Sequence, residues 1–286
     1  MRMGENSDNL ISTQWLADRL GDNHLVVLDA SRHLPGANRD PNAEYQAAHI
    51  PGARFLDAAS LTDTTSNVPA ALPNAAQVAE RLASLGVAEG SRIVLYDDSA
   101  VRSSARIWFA LTQCGLDNVA ILDGGLAKWR NEGLPLKSGA VSFAPAPAMA
   151  LHKPHDLRNK AQMLANLSTS AEQVLDARAA GRVFGSGIDP VHGGQNGRIP
   201  GALNLPFGQL FAPDGTYLSP DELRAAIEAA QIDLTRPITA SCGSGQTACV
   251  LLFGLHLIGK TDTALYDGSW MEWEADPDTP KEQGPA

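Results

Sequence analysis

The segment Thr239-Ala240-Ser241-Cys242-Gly243-Ser244-Gly245-Gln246-Thr247 sets a cysteine between two apolar runs. The run ending at Ser241 reads as a strand, and Ala248-Cys249-Val250-Leu251-Leu252-Phe253 reads as a helix that starts near Thr247. Two glycines allow the tight loop between them. Amides of such a loop, with the positive end of the helix behind them, can face the cysteine sulfur and favour thiolate over thiol. A thiolate so placed is a nucleophile for covalent catalysis. The competing reading is a small buried apolar Cys242, the usual fate of a free thiol; the glycines and the strand-to-helix placement favour the nucleophile. Gly243, Gly245, Gln246 and Thr247 are then the candidate substrate-binding residues, and Ser244 either takes part in the chemistry or caps the helix. Phosphate is a poor ligand for this loop. The arginine of a tyrosine-phosphatase loop is replaced by Ala248, and the lysine of a phosphate-binding loop by Gln246.

The rest of the chain limits what can surround that cysteine. At 286 residues there is length for about two domains. Lys plus Arg is 22 against 32 Asp plus Glu, a net charge of −10 with no basic run, which excludes nucleic acid as a partner. No apolar stretch approaches the roughly 20 residues of a membrane helix, and the opening Met-Arg-Met-Gly-Glu-Asn-Ser-Asp-Asn-Leu lacks a hydrophobic signal core. A soluble, cytoplasmic protein without membrane contact is expected. Cys114, Cys242 and Cys249 cannot all pair and show no C-x-x-C spacing, so neither a disulfide framework nor structural zinc is expected. His152 and His155 have no third ligand nearby, and no metal or cofactor is implied. Cys114 and Cys249 read as core.

The elements that position the loop occur twice. Val26-Val27-Leu28-Asp29-Ala30 returns as Gln173-Val174-Leu175-Asp176-Ala177, and His49-Ile50-Pro51-Gly52-Ala53 as Arg198-Ile199-Pro200-Gly201-Ala202. Asp123-Gly124-Gly125 with Trp129 returns as Asp267-Gly268-Ser269 with Trp273, each at an offset of 144. Short apolar runs alternate with helical stretches in both halves, which predicts an α/β fold: two tandem domains, each a parallel sheet with helices on both faces. Ser219-Pro220-Asp221-Glu222 predicts a capped helix start, as does Asn74 with Gln77. The Pro- and Ala-rich segment Pro135 to Pro154 reads as an ordered surface linker. The expected domains are 1–140 and 157–286, joined by 141–156. The halves differ after the fourth strand, where the first has Val94-Leu95-Tyr96-Asp97-Asp98-Ser99. Asp97 at the cysteine position makes the first domain catalytically silent.

Taken together, the tandem halves, the two [HR]-I-P-G-A segments, the D-G-G and D-G-S-W motifs and the loop C-G-S-G-x-T resemble the two-domain rhodanese superfamily of sulfurtransferases over nearly the whole chain. Within it, a loop with no basic residue after the cysteine is similar to the 3-mercaptopyruvate branch, whereas thiosulfate users carry basic residues there. The resemblance implies that Cys242 takes sulfur from a small donor as a persulfide, releasing pyruvate. A thiol, such as that of a thioredoxin-like protein, or cyanide then accepts the sulfur. Thiosulfate:cyanide transfer and a non-catalytic persulfide carrier are the alternatives. By the same resemblance Arg182 of Gly181-Arg182-Val183 binds the donor carboxylate, Ser244 assists proton transfer, and Asp57 of H-I-P-G-A-R-F-L-D works with it through a histidine. Two positions depart from the pattern: Ala70 stands where that histidine is expected, and Val191 where a second carboxylate-binding arginine is expected. His192 and Arg198 are the nearest cations to replace the latter.

Overall fold

A computed structural model describes residues 9–152 and 155–284; the opening residues 1–8 and Pro154 of the linker segment lie outside the described residues. The first half contains β1 (Leu10–Ile11), α1 (Thr13–Ala17), β2 (Leu25–Asp29), α2 (Pro41–Ala47), β3 (Arg54–Phe55), α3 (Ala75–Ser84), β4 (Arg92–Tyr96), α4 (Ser103–Gln113), β5 (Val119–Leu122) and α5 (Gly125–Asn131). The second repeats the order as β6 (Leu157–Arg158), α6 (Lys160–Thr169), β7 (Gln173–Asp176), α7 (Ala180–Val183), β8 (Leu203–Asn204), α8 (Pro220–Ala229), β9 (Ile238–Ser241), α9 (Ala248–Leu257), β10 (Thr263–Tyr266) and α10 (Ser269–Ala275). The sheets run β1-β5-β4-β2-β3 and β6-β10-β9-β7-β8, with every pairing parallel. This is the expected duplicated α/β fold, with helices around each parallel sheet. Among the described residues no helix is long and apolar enough to cross a membrane.

Each repeated motif does the same structural work twice. Ala53 N–H donates to Ile50 O and Ala202 N–H to Ile199 O, with Gly52 at φ 79° and Gly201 at φ 76°, the turn that a Pro-Gly pair favours. The preceding residue bridges to the chain that follows the last helix, His49 to Lys137 and Arg198 to Glu282. Trp129 and Trp273 are fully buried, and their indole N–H groups donate to Pro135 O and Pro280 O, both at 2.8 Å. The capping boxes at Asn74/Gln77 and Ser219/Glu222 form as expected. α9 is apolar on every side and almost wholly buried, and α4 is its counterpart in the first half. Cys114 and Cys249 are both fully buried in this core, and burial pushes the Cys114 thiol up.

The chain divides into two compact units, one of Met1–Thr62, Pro73–Pro154 and Ala212–Tyr217, the other of Asp63–Leu72, His155–Phe211 and Leu218–Ala286. Two short aperiodic segments thus belong to the unit opposite their place in the chain, which no periodicity announced. In each case the aspartate of the D-G motif holds the segment. Asp123 accepts from Tyr217 N–H at 2.8 Å in the first unit, and Asp267 from Leu72 N–H at 2.7 Å in the second. Burial is the main cause that raises the Asp123 carboxyl to about 6, against the pull of the Tyr217 amide. A carboxyl whose folded value lies above its unfolded one opposes folding when ionised, so its contribution to stability increases as pH falls from about 7 toward 4. Asp123→Asn should flatten that part of the stability-versus-pH curve, measured by denaturant unfolding; an unchanged slope would count against this assignment.

Candidate active site

Register places Cys242 at the carboxyl end of its sheet. Asp176 of β7 pairs with Ser241 of β9, and Ala177 N–H donates to Ser241 O at 2.9 Å, so Cys242 is the first residue beyond the ladder. Asp29 pairs with Tyr96 in the first half, and Ala30 N–H donates to Tyr96 O at 2.8 Å, which makes Asp97 the structural counterpart of Cys242. The carboxyl ends of parallel strands are where open α/β sheets hold ligands. A groove lined by Glu172, Gln173, Asp233 and Arg236 lies at the opposite end, where β7 begins.

The loop after Cys242 is held from outside. Ser269 Oγ accepts from Cys242 N–H at 3.2 Å and from Gly245 N–H at 3.0 Å, and donates to Tyr266 O at 2.9 Å. Trp270 N–H donates to Cys242 O at 3.0 Å and Met271 N–H to Gly243 O at 2.9 Å. The buried Cys249 thiol donates to Gly245 O at 3.3 Å one turn into α9. Two of the amides expected to converge on the sulfur, those of Cys242 and Gly245, face a hydroxyl instead. Among the described residues none accepts from the amides of Gly243, Ser244 or Thr247. Thr247 is the N-cap of α9 without a side-chain cap bond, so Ser244 does not cap the helix. Gln246 is buried and Ser244 half-exposed.

The cations expected near the donor take unequal places. Arg182, on α7, donates through Nε and Nη2 to Asp189 at 2.9 and 2.6 Å, a bidentate pair whose carboxylate is fully buried. Burial opposes ionisation of Asp189, but the Arg182 and Val191 N–H hydrogen bonds hold its carboxyl below the usual range. Val191 is exposed at the surface, while the next side chain, His192, turns inward against the Cys242 loop. A Cβ on Gly243 would stand 2.1 Å from His192 Nε2 and 3.2 Å from Arg182 Nη2. Burial, then the Arg182 charge, pushes the His192 imidazole down, which keeps it neutral at pH 7. Arg198 does not stand in for the missing arginine. It is buried over the Phe184 ring and bonds Gly284 O and Glu282, both at 2.6 Å. Asp57 belongs to the other unit, where it closes a turn by accepting from Ala59 and Ser60 N–H at 3.2 and 3.3 Å.

The second unit therefore gathers Cys242, Gly243, Arg182 and His192, braced by residues whose part the sequence did not reveal. Arg178 is wholly buried, paired with Asp176 at 2.6 Å and stacked on Trp270 at 4.8 Å. Trp270 Nε1 donates to Gln195 O at 2.8 Å, which ties the chain just beyond His192 to α10. Gly243→Ala should displace the His192 ring rather than the backbone, since the clash is with the far end of a side chain. We expect kcat/KM to fall about tenfold with the melting temperature nearly unchanged, measured by steady-state kinetics and calorimetry.

Two segments of the chain, residues 12–132 and 159–276, match the model of the rhodanese-like domain. The chain belongs to the rhodanese family, with that domain in tandem. It is 40% identical over 270 residues to the mouse (Mus musculus) 3-mercaptopyruvate sulfurtransferase, covering 92% of this chain and 91% of the relative. It is 38% identical to the thiosulfate sulfurtransferase of Cricetulus griseus, covering 96% and 95%. Among solved structures it is similar to SseA of Escherichia coli, of the 3-mercaptopyruvate sulfotransferases, at 34% identity and a TM-score of 0.82, covering 91% of this chain and 98% of that one. The protein is thus a sulfurtransferase, and such an enzyme requires a sulfur donor and a nucleophilic acceptor.

Proposed function

We propose that the protein transfers sulfur from 3-mercaptopyruvate through a persulfide on Cys242. The Cys242 thiolate attacks the donor sulfur; the carbon–sulfur bond breaks, its electron pair goes to carbon as the enolate of pyruvate, and protonation completes pyruvate. An acceptor thiolate or cyanide then takes the outer sulfur and returns Cys242 as thiolate. The observation that carries this reading is in the silent half. There the Asp97 carboxylate accepts from Ser99 and Ser104 N–H at 3.0 and 2.8 Å, in a loop as long as that of Cys242 and in the same register. By loop length and register the Ser244 amide is the counterpart of the Ser99 amide that bonds Asp97, which supports an anion at Cys242. The anionic sulfur of Cys242 is the matching charge. Ser244, Gln246 and Thr247 of the same loop are its donor-binding residues, and Ser244 serves the proton as the family pattern implies; Asp57, bound in its own turn, has no part in this step.

Arg182 and the neutral His192 suit a donor whose carboxylate lies several atoms from its sulfur. Thiosulfate, a compact dianion, finds no cation within residues 243–247. The similarity to thiosulfate sulfurtransferases makes it the second reading. Steady-state kcat/KM with each donor and cyanide as common acceptor decides between them: the first predicts at least a tenfold preference for mercaptopyruvate, and equal values or the reverse order would overturn it.

A further inference from the structure

The residue after the D-G turn is left-handed in both halves, with Gly125 at φ 57° and Ser269 at φ 51°. The next amide also closes the same bond in both, Leu126 N–H to Asp97 O at 3.1 Å and Trp270 N–H to Cys242 O at 3.0 Å. Glycine adopts this backbone freely, whereas a serine there is strained, and strain of this kind persists where something else depends on it. What the serine adds is its hydroxyl, which is fully buried and takes the amides of Cys242 and Gly245. The first half has no need of it. Its loop is anchored from within, by the Asp97 carboxylate on the Ser99 and Ser104 amides. Asp97 bridges two amides with two carboxylate oxygens, whereas Cys242 has one weakly accepting sulfur, and its loop is anchored by the Ser269 hydroxyl instead.

We propose that Ser269 is a positioning residue of the sulfur-transfer site. Its hydroxyl, held by a left-handed backbone at the start of α10, gives the Cys242 loop the anchorage that Asp97 gives the silent loop, so the sulfur is not needed as that anchor. The Cys249 thiol on Gly245 O supports the same loop from α9. This inference rests on Cys242 being the nucleophile.

The test uses the full-length protein with Ser269→Gly and Ser269→Ala, and 3-mercaptopyruvate as donor. Ser269→Gly removes the hydroxyl and the strain together, so a purely conformational role predicts a protein as active as the parent and at least as stable. The proposal predicts a fall in kcat on the order of 10- to 100-fold in both variants, referred to the folded fraction read from the near-ultraviolet signal of the buried tryptophans. It also predicts a donor KM within about twofold of the parent. Alkylation of Cys242 by iodoacetamide at pH 7, followed by peptide mass, should slow in parallel, and Ser269→Gly should melt above Ser269→Ala. A Ser269→Gly protein with parental kcat and alkylation rate overturns the proposal. Cys242→Ser measured alongside separates the two ideas: if it is inactive while Ser269→Gly is normal, the nucleophile stands and only the role of Ser269 falls.

Discussion

Cys242→Ser is expected to lower sulfur-transfer kcat by at least about a thousandfold, because it removes the atom that carries the sulfur in the proposed mechanism. Serine is nearly isosteric, and Cys242 is only 1% exposed, so the loop anchored by Ser269 should keep its shape. The other thiols offer no bypass. Cys114 and Cys249 are fully buried, Cys114 at the end of α4 in the other unit and Cys249 bonded to Gly245 O inside α9. Residual turnover above a hundredth of the parent rate would mean that another group carries the sulfur.

Arg182→Ala is the second large effect, and it acts on donor recognition. Removing the guanidinium takes away the permanent cation beside Gly243 and leaves the buried Asp189 carboxylate without its bidentate partner. An unpaired buried carboxylate costs stability and repels an anionic donor, so a loss of at least about 2 kcal/mol, or roughly 30-fold in kcat/KM, is expected. The loss should fall mainly on KM. Adding Asp189→Asn to Arg182→Ala should recover stability and part of the binding, because the two side chains act as a unit. Acid pH gives a further check. His192 is held neutral by burial and by Arg182, so protonating it as pH falls supplies a second cation at Gly243, and donor KM should fall with it in the parent. In His192→Gln the dependence should vanish. A donor KM unchanged in Arg182→Ala would contradict this picture of the site.

Much of this was legible from residue order. The strand, glycine loop and helix around Cys242, the Pro-Gly turns, the capping boxes and the paired Trp129 and Trp273 are local signals, each fixed by a few neighbouring residues. The remainder depends on contacts between distant segments. Asp189 pairs with Arg182 across a loop, and that loop turns Val191 out and His192 in, a one-residue choice that no periodicity encodes. Arg198 looked available as a cation, but burial and Glu282 engage it. Asp63–Leu72 and Ala212–Tyr217 cross to the opposite unit, where Asp267 and Asp123 accept from the Leu72 and Tyr217 amides. Ser269 had one trace in the sequence, the replacement of Gly125 by a serine in the repeat. Its meaning required knowing that the backbone there is left-handed.

The central claim is that Cys242 is sulfurated by a mercapto-2-oxo acid, and the intact mass of the protein after exposure to donor tests it most directly. With 3-mercaptopyruvate the parent should gain the mass of one sulfur atom, located on the Cys242 peptide and removed by cyanide, while Cys242→Ser gains nothing and thiosulfate modifies the parent far more slowly. No added sulfur on Cys242 from mercaptopyruvate, or the same gain in Cys242→Ser, would contradict it.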